Sequence, residues 1–162
     1  MSDWVESYLA DDGDRSRRAM RISDLSVQGA PIAFRILASR IKSDVRKLES
    51  ATRCGVRYEF SPSTKFVVRS SSGRLPFARI DVELIGLDIV CTRTRKLDST
   101  CSPEDLPLLR FRICSDLMGN VQIMKNGTPF EDESELSQEL LGPLFDYLRE
   151  IPASHLSEVA AS

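Results

Sequence analysis

Between Leu75 and Arg95 the chain reads LPFARIDVELIGLDIVCTRTR, and this stretch limits the possible folds more than any other. Ala78, Ile80, Val82 and Leu84 alternate with Arg79, Asp81 and Glu83. After Ile85-Gly86, Leu87, Ile89 and Cys91 alternate with Asp88, Val90 and Thr92. Successive side chains of a strand point to opposite faces, so each run has one apolar face and one mainly polar face. A parallel strand covered on both sides would be apolar throughout. The pattern predicts two adjacent antiparallel strands, packed on one side only.

Four more runs read the same way. They are VRYEF with Val56, Tyr58 and Phe60 inward, KFVVRS with Phe66 and Val68 inward, LLRFRIC with Leu109, Phe111 and Ile113 inward, and VQIMK from Val121. Turn signals separate them: SPST after Phe60, Ser71-Ser72-Gly73, Gly119-Asn120, and Asn126-Gly127 after Lys125. The irregular stretch from Arg95 to Pro107 contains Ser102-Pro103-Glu104-Asp105, which reads as the start of one helical turn.

The flanks are helical. In residues 30–52, Pro31 suits a first helical position, and Phe34, Leu37, Ile41, Val45 and Leu48 form one stripe. Residues 132–151 are acidic, with Leu136, Leu140, Leu144, Tyr147, Leu148 and Ile151 on one face. Gly142-Pro143 predicts a kink or a split into two helices. Residues 1–29 read as a flexible tail in which Trp4, Val5, Tyr8 and Leu9 make a short amphipathic turn, followed by a linker DDGDRSRR. Residues 152–162 read as a second tail. The expected fold is one α+β domain over 30–151. It has an antiparallel meander of about six strands, with both helices on one face of the sheet.

A chain of 162 residues can build its core without metal or disulfide support. No apolar run approaches the ~20 residues of a membrane span, and residues 1–24 lack the apolar stretch of a secretion signal. Both points favour a cytoplasmic protein. Cys54, Cys91, Cys101 and Cys114 form no C-x-x-C pair and read as free thiols. Without a secretion signal, the sequon Asn126-Gly127-Thr128 reads as accidental. The net charge of −2 hides a polarity: residues 131–162 carry one basic and eight acidic side chains, whereas the remainder is mildly basic.

Catalytic signatures are sparse. The one histidine, His155, falls in the expected C-terminal tail, which argues against triads and histidine metal sites. There is no phosphate-cradling glycine loop and no nucleophile elbow. No metal and no cofactor is expected. Asp81, Glu83 and Asp88 share the polar sheet face with Arg79, Arg110 and Arg112. That grouping suits a cross-strand salt-bridge ladder or a polar partner surface better than acid–base catalysis. Arg93-Thr94-Arg95-Lys96 reads as a solvated strand end, with no flanking aromatic to stack a base.

The element order resembles that of small acidic secretion chaperones and of helix-grip domains, as an architectural analogy. These readings point to a non-enzymatic protein-interaction module, an adaptor, chaperone-like or partner-neutralising protein. It would dock through Trp4, Val5, Tyr8 and Leu9, and a homodimer is possible. The alternative is a binder of small apolar ligands, with a cavity between sheet and helices. Neither nucleic acid nor a membrane is an expected partner.

Overall fold

A computed structural model describes the backbone of residues 3–61, 64–71 and 75–161, and the side chains of residues 3–60, 64–71 and 75–149. The expected turns at Pro62-Ser63 and Ser72-Gly73, and the His155 side chain, lie outside the described residues.

Helix α1 spans Trp4–Thr52. It is followed by β1 (Val56–Ser61), β2 (Lys65–Ser70), β3 (Phe77–Ile85), β4 (Asp88–Lys96), β5 (Glu104–Asp105), β6 (Leu109–Ser115), β7 (Val121–Lys125), β8 (Thr128–Pro129) and α2 (Glu133–Ala161). The sheet is antiparallel, in the order β1-β2-β3-β4-β6-β7-β8, with β5 added beside β4. The class is the expected α+β meander, with two short strands more than the sequence suggested. One is β8, closed against β7 through Asn126-Gly127, both at positive φ as a tight hairpin turn requires. The other is β5, which replaces the expected helical turn. Its residues pair with β4 as Thr94↔Asp105 and Arg95↔Glu104.

Both helices lie on the apolar face of the sheet. One buried cluster joins Phe34, Leu37, Ile41 and Val45 of α1 and Leu136, Leu140 and Leu144 of α2 to Phe66, Val68, Ile80, Val82, Ile89, Phe111 and Ile113 of the strands. Phe34 and Tyr58 both pack on Phe66, with ring centroids 5.5 and 5.6 Å away. The helices are tied to each other by Asp44 of α1, which accepts the Ser137 hydroxyl of α2 at 2.6 Å.

Two helical expectations are corrected. The first helix does not begin at Pro31. It starts 27 residues earlier, where the Asp3 carboxylate caps the Val5 amide at 3.1 Å and Glu6 lies in the first turn. The stretch read as a tail with a linker is therefore helical, and Pro31 is interior. Proline there removes the amide that would bond the Val27 carbonyl. Pro31 and Val27 are both exposed, so the loss falls on the wet side of the helix. Of the kink or split expected at Gly142-Pro143, the split does not occur: the second helix is one element, and it continues to Ala161 through most of the stretch read as a second tail.

Candidate functional site

The first candidate is the half of α1 that has no sheet beneath it. Ser26 is the first buried residue of the helix. Its hydroxyl donates to the Ile22 carbonyl at 2.7 Å and accepts the Ser115 amide, at the end of β6, at 2.8 Å. One turn later Gly29 meets the start of β7 so closely that a Cβ there would stand 2.5 Å from Val121 Cγ2. These contacts fix where the helix leaves the sheet. Toward the N-terminus nearly every residue is exposed, and the four residues expected to dock a partner are open to solvent: Trp4 is 75% exposed, Tyr8 59%, Leu9 61% and Val5 40%. The projecting half thus places Trp4, Val5, Tyr8 and Leu9 together at the free end of the helix.

A shallow groove of about 430 Å³ lies along the same segment, between Arg17, Arg18 and Arg21 of α1 and Leu117 and Met118 of the β6–β7 loop. Met118 is 85% exposed. The loop is held by Asp116, whose carboxylate accepts the Met118 and Asn120 amides at 2.9 Å each. No feature of the sequence alone marked Met118 as a neighbour of the three arginines, since about a hundred residues separate them.

The second candidate is the polar face of the sheet. Arg79 grips Asp81 with two bonds of 2.8 and 2.9 Å, and Lys65 stands 3.6 Å from the same carboxylate. Arg69 holds Glu59, and Asp88 faces Arg112 at 3.4 Å and Arg110 at 3.8 Å. Arg79–Asp81 lies within β3, and the other pairs are cross-strand, as a ladder requires. Partial burial alone would raise the Asp81 carboxyl, but the Arg79 bonds and charge, with Lys65, outweigh it and hold the group below its ordinary value. A general acid or base working near neutrality needs a carboxyl raised toward that pH. Asp81 is shifted the other way. Glu83, exposed, sits opposite Lys65 in the register.

The third candidate lies under α2. Arg93 and Arg95 continue the inward alternation of Ile89 and Cys91, so they are inner-face residues rather than a solvated strand end. Arg95 binds Glu104 through two bonds and lies 5.1 Å from the centre of the Tyr147 ring. Arg93 donates to the Pro107 carbonyl at 2.9 Å, while its Nε is buried without an acceptor. The cavity they border with Leu140, Leu144 and Tyr147 holds only about 60 Å³.

Among the described residues, no group of three or more His, Cys, Asp or Glu side chains is placed to hold a metal ion, and no helix is long and apolar enough to cross a membrane. Comparison with protein-family models, with curated proteins and with solved structures finds no match for the chain.

Proposed function

We propose that the protein is a non-enzymatic interaction module, an adaptor or chaperone-like protein of the cytoplasm, that docks a protein partner through the projecting half of α1. The observation that carries this reading is the Trp4–Leu9 cluster. Its aromatic and aliphatic side chains stand in solvent at the end of a helix whose other half is anchored in the core. An amphipathic helix laid against a partner is a common mode of recognition, and exposed tryptophan and tyrosine are the residues that most often carry binding energy at protein interfaces. Of the acidic groups that offered an enzymatic alternative, Asp81 and Asp88 are engaged by arginines and a lysine.

The cavity-binding alternative is weaker on enclosure. Phe34, Phe66 and Phe111 are fully buried between sheet and helices, and the hollow beside Tyr147 holds only about 60 Å³. A larger hollow of about 560 Å³ beside Ile32, Ile36, Val121, Phe130 and Leu136 is an open groove at the rim, with Ile32 and Ile36 exposed, whereas small-molecule sites bury most of their ligand.

The test is affinity capture with the full chain and with the double variant Trp4→Ala, Tyr8→Ala, followed by identification of bound polypeptides by mass spectrometry. The expected result is a stoichiometric bound chain, this one or another, that is lost with the variant while its circular dichroism and melting temperature hold. Equal capture by both proteins would remove the projecting half as the docking element.

A further inference from the structure

The projecting half of α1 carries a self-complementary pattern. Trp4, Tyr8, Asp11, Arg15, Arg18 and Ile22 follow one another at spacings of four and three. On a helix of 3.6 residues per turn they fall within a sector of roughly 80°, the width of a two-helix coiled-coil seam, with Trp4, Tyr8 and Ile22 toward the ends of the seam along the helix axis and the charged Asp11, Arg15 and Arg18 between them. Counted outward from Gly13, Trp4 is as far to one side as Ile22 is to the other. Tyr8 matches Arg18 in the same way, and Asp11 matches Arg15.

We infer that this half of α1 pairs with its counterpart in a second copy of the chain, antiparallel and centred near Gly13. Trp4 then lies against Ile22, Tyr8 against Arg18 and Asp11 against Arg15, each layer occurring twice. The inference rests on the docking reading above and names the occupant.

Two observations favour a second copy over another partner, and a third favours pairing as such. The first is charge. Residues 3–14 carry Asp3, Glu6, Asp11, Asp12 and Asp14 with no basic side chain, whereas residues 15–23 carry Arg15, Arg17, Arg18 and Arg21 with no acidic one. Antiparallel pairing sets the acidic run over the basic run, and parallel pairing would set like on like. The second is the groove between Arg17, Arg18, Arg21, Leu117 and Met118, which flanks the same seam. The antiparallel register delivers the Trp4 and Tyr8 rings of the second copy beside it. Guanidinium groups and a thioether are both favourable neighbours for aromatic rings. The third is intrinsic helix stability. Asp11, Asp12, Gly13, Asp14 and Ser16 are poor helix formers, and an isolated helix of about twenty residues with this composition is marginal in water. The ion pair within the helix between Asp14 and Arg17 is exposed and adds little. Contact with a second helix supplies what the segment lacks alone.

The experiment uses the full chain and two variants, Asp11→Arg and Arg15→Asp, at exposed positions. Sedimentation equilibrium gives the mass, and the emission of Trp4, the sole tryptophan, reports whether the helix end is covered. The wild type is expected to dimerise at micromolar concentration with a blue shift of the emission. Each variant alone puts like charges in two layers and is expected to dimerise at least about tenfold more weakly. An equimolar mixture of the two restores the opposite-charge layers, and native mass spectrometry should find the mixed dimer in excess of either homodimer. A wild type that stays monomeric with solvent-exposed emission overturns the self-pairing. So does a dimer indifferent to both reversals, which would use another surface. Loss of capture of a different polypeptide by the Trp4→Ala, Tyr8→Ala variant would still sustain the docking reading, so the two failures are distinct.

Discussion

The Ser26 hydroxyl accepts the backbone amide of Ser115 at 2.8 Å, joining the middle of α1 to the last residue of β6 across 89 positions of sequence. Both residues are buried. Ser26→Ala leaves the Ser115 amide without this acceptor, which costs about 1–3 kcal/mol. In a chain of this size that lowers the melting temperature by roughly 2–12 °C. Differential scanning calorimetry is the measurement. A shift below 1 °C would mean that water or a local rearrangement takes the place of the hydroxyl.

Gly29→Ala tests the neighbouring contact. The added methyl meets Val121 Cγ2 at 2.5 Å, and valine, branched at Cβ, has little rotameric freedom to yield. The usual gain from replacing a helical glycine by alanine, up to about 1 kcal/mol, should therefore be cancelled or reversed. The same substitution at Gly13, where nothing lies within 4 Å of the new Cβ, should stabilise the helix. Urea unfolding of the two variants side by side checks the contrast.

The link between the helices predicts a pH dependence. Burial works to raise the Asp44 carboxyl, but the bonds from Ser137 and Arg40 prevail and hold it below its ordinary value. A carboxyl depressed in the folded state contributes stability that is fully present above its unfolded pKa of about 4 and is lost as pH falls through the lower folded value. Wild type should therefore lose more stability than Asp44→Asn between about pH 5 and pH 2. Parallel slopes for the two proteins in acid denaturation would count against the link.

The cysteines should react in order of exposure. Burial pushes the Cys91 thiol up to about 12, against the opposing charge of Arg93, and the side chain is fully enclosed. Cys101 is exposed, and Cys54 and Cys114 are half-buried. A thiol reagent at neutral pH should modify Cys101 first and Cys91 only after unfolding. Peptide mapping of timed samples reads the sequence of events, and early labelling of Cys91 would contradict the packing of the sheet against the helices.

The strands were legible because each carried its alternation locally, and the helices because Phe34 to Leu48 and Leu136 to Leu148 kept their period. The long first helix was not. Pro31 is a better start signal than most, and Asp11-Asp12-Gly13-Asp14 has the composition of a linker. The signal that could have found the true start is the spacing of Asp3 and Glu6, an acidic cap with a glutamate three residues on. Phe60 was placed on the correct face, yet β1 is the edge of the sheet and its far end is uncovered, so the ring is half exposed. Arg93 and Arg95 obey the alternation, yet by sequence they read as a solvated strand end. What makes that face tolerable is a carbonyl at Pro107, a carboxylate at Glu104 and a ring at Tyr147, none of them near in sequence to β4. Of the candidate site, the Trp4 to Leu9 cluster could be read directly. The groove beside Met118 required the fold.

Because α1 is covered by the sheet on only one side of Ser26, a single continuous helix belongs to two units of local stability. Amides from Phe34 to Leu48 sit over the core and should exchange with solvent only when the whole domain opens. Those before Ile22 lack tertiary cover in one chain and should exchange by fraying alone. Exchange protection along one unbroken helix would then change by orders of magnitude within about two turns, near the interior proline. Any molecule that covers the outer half would lift its protection toward that of the core, and so couple its own binding to the length of helix that behaves as one body.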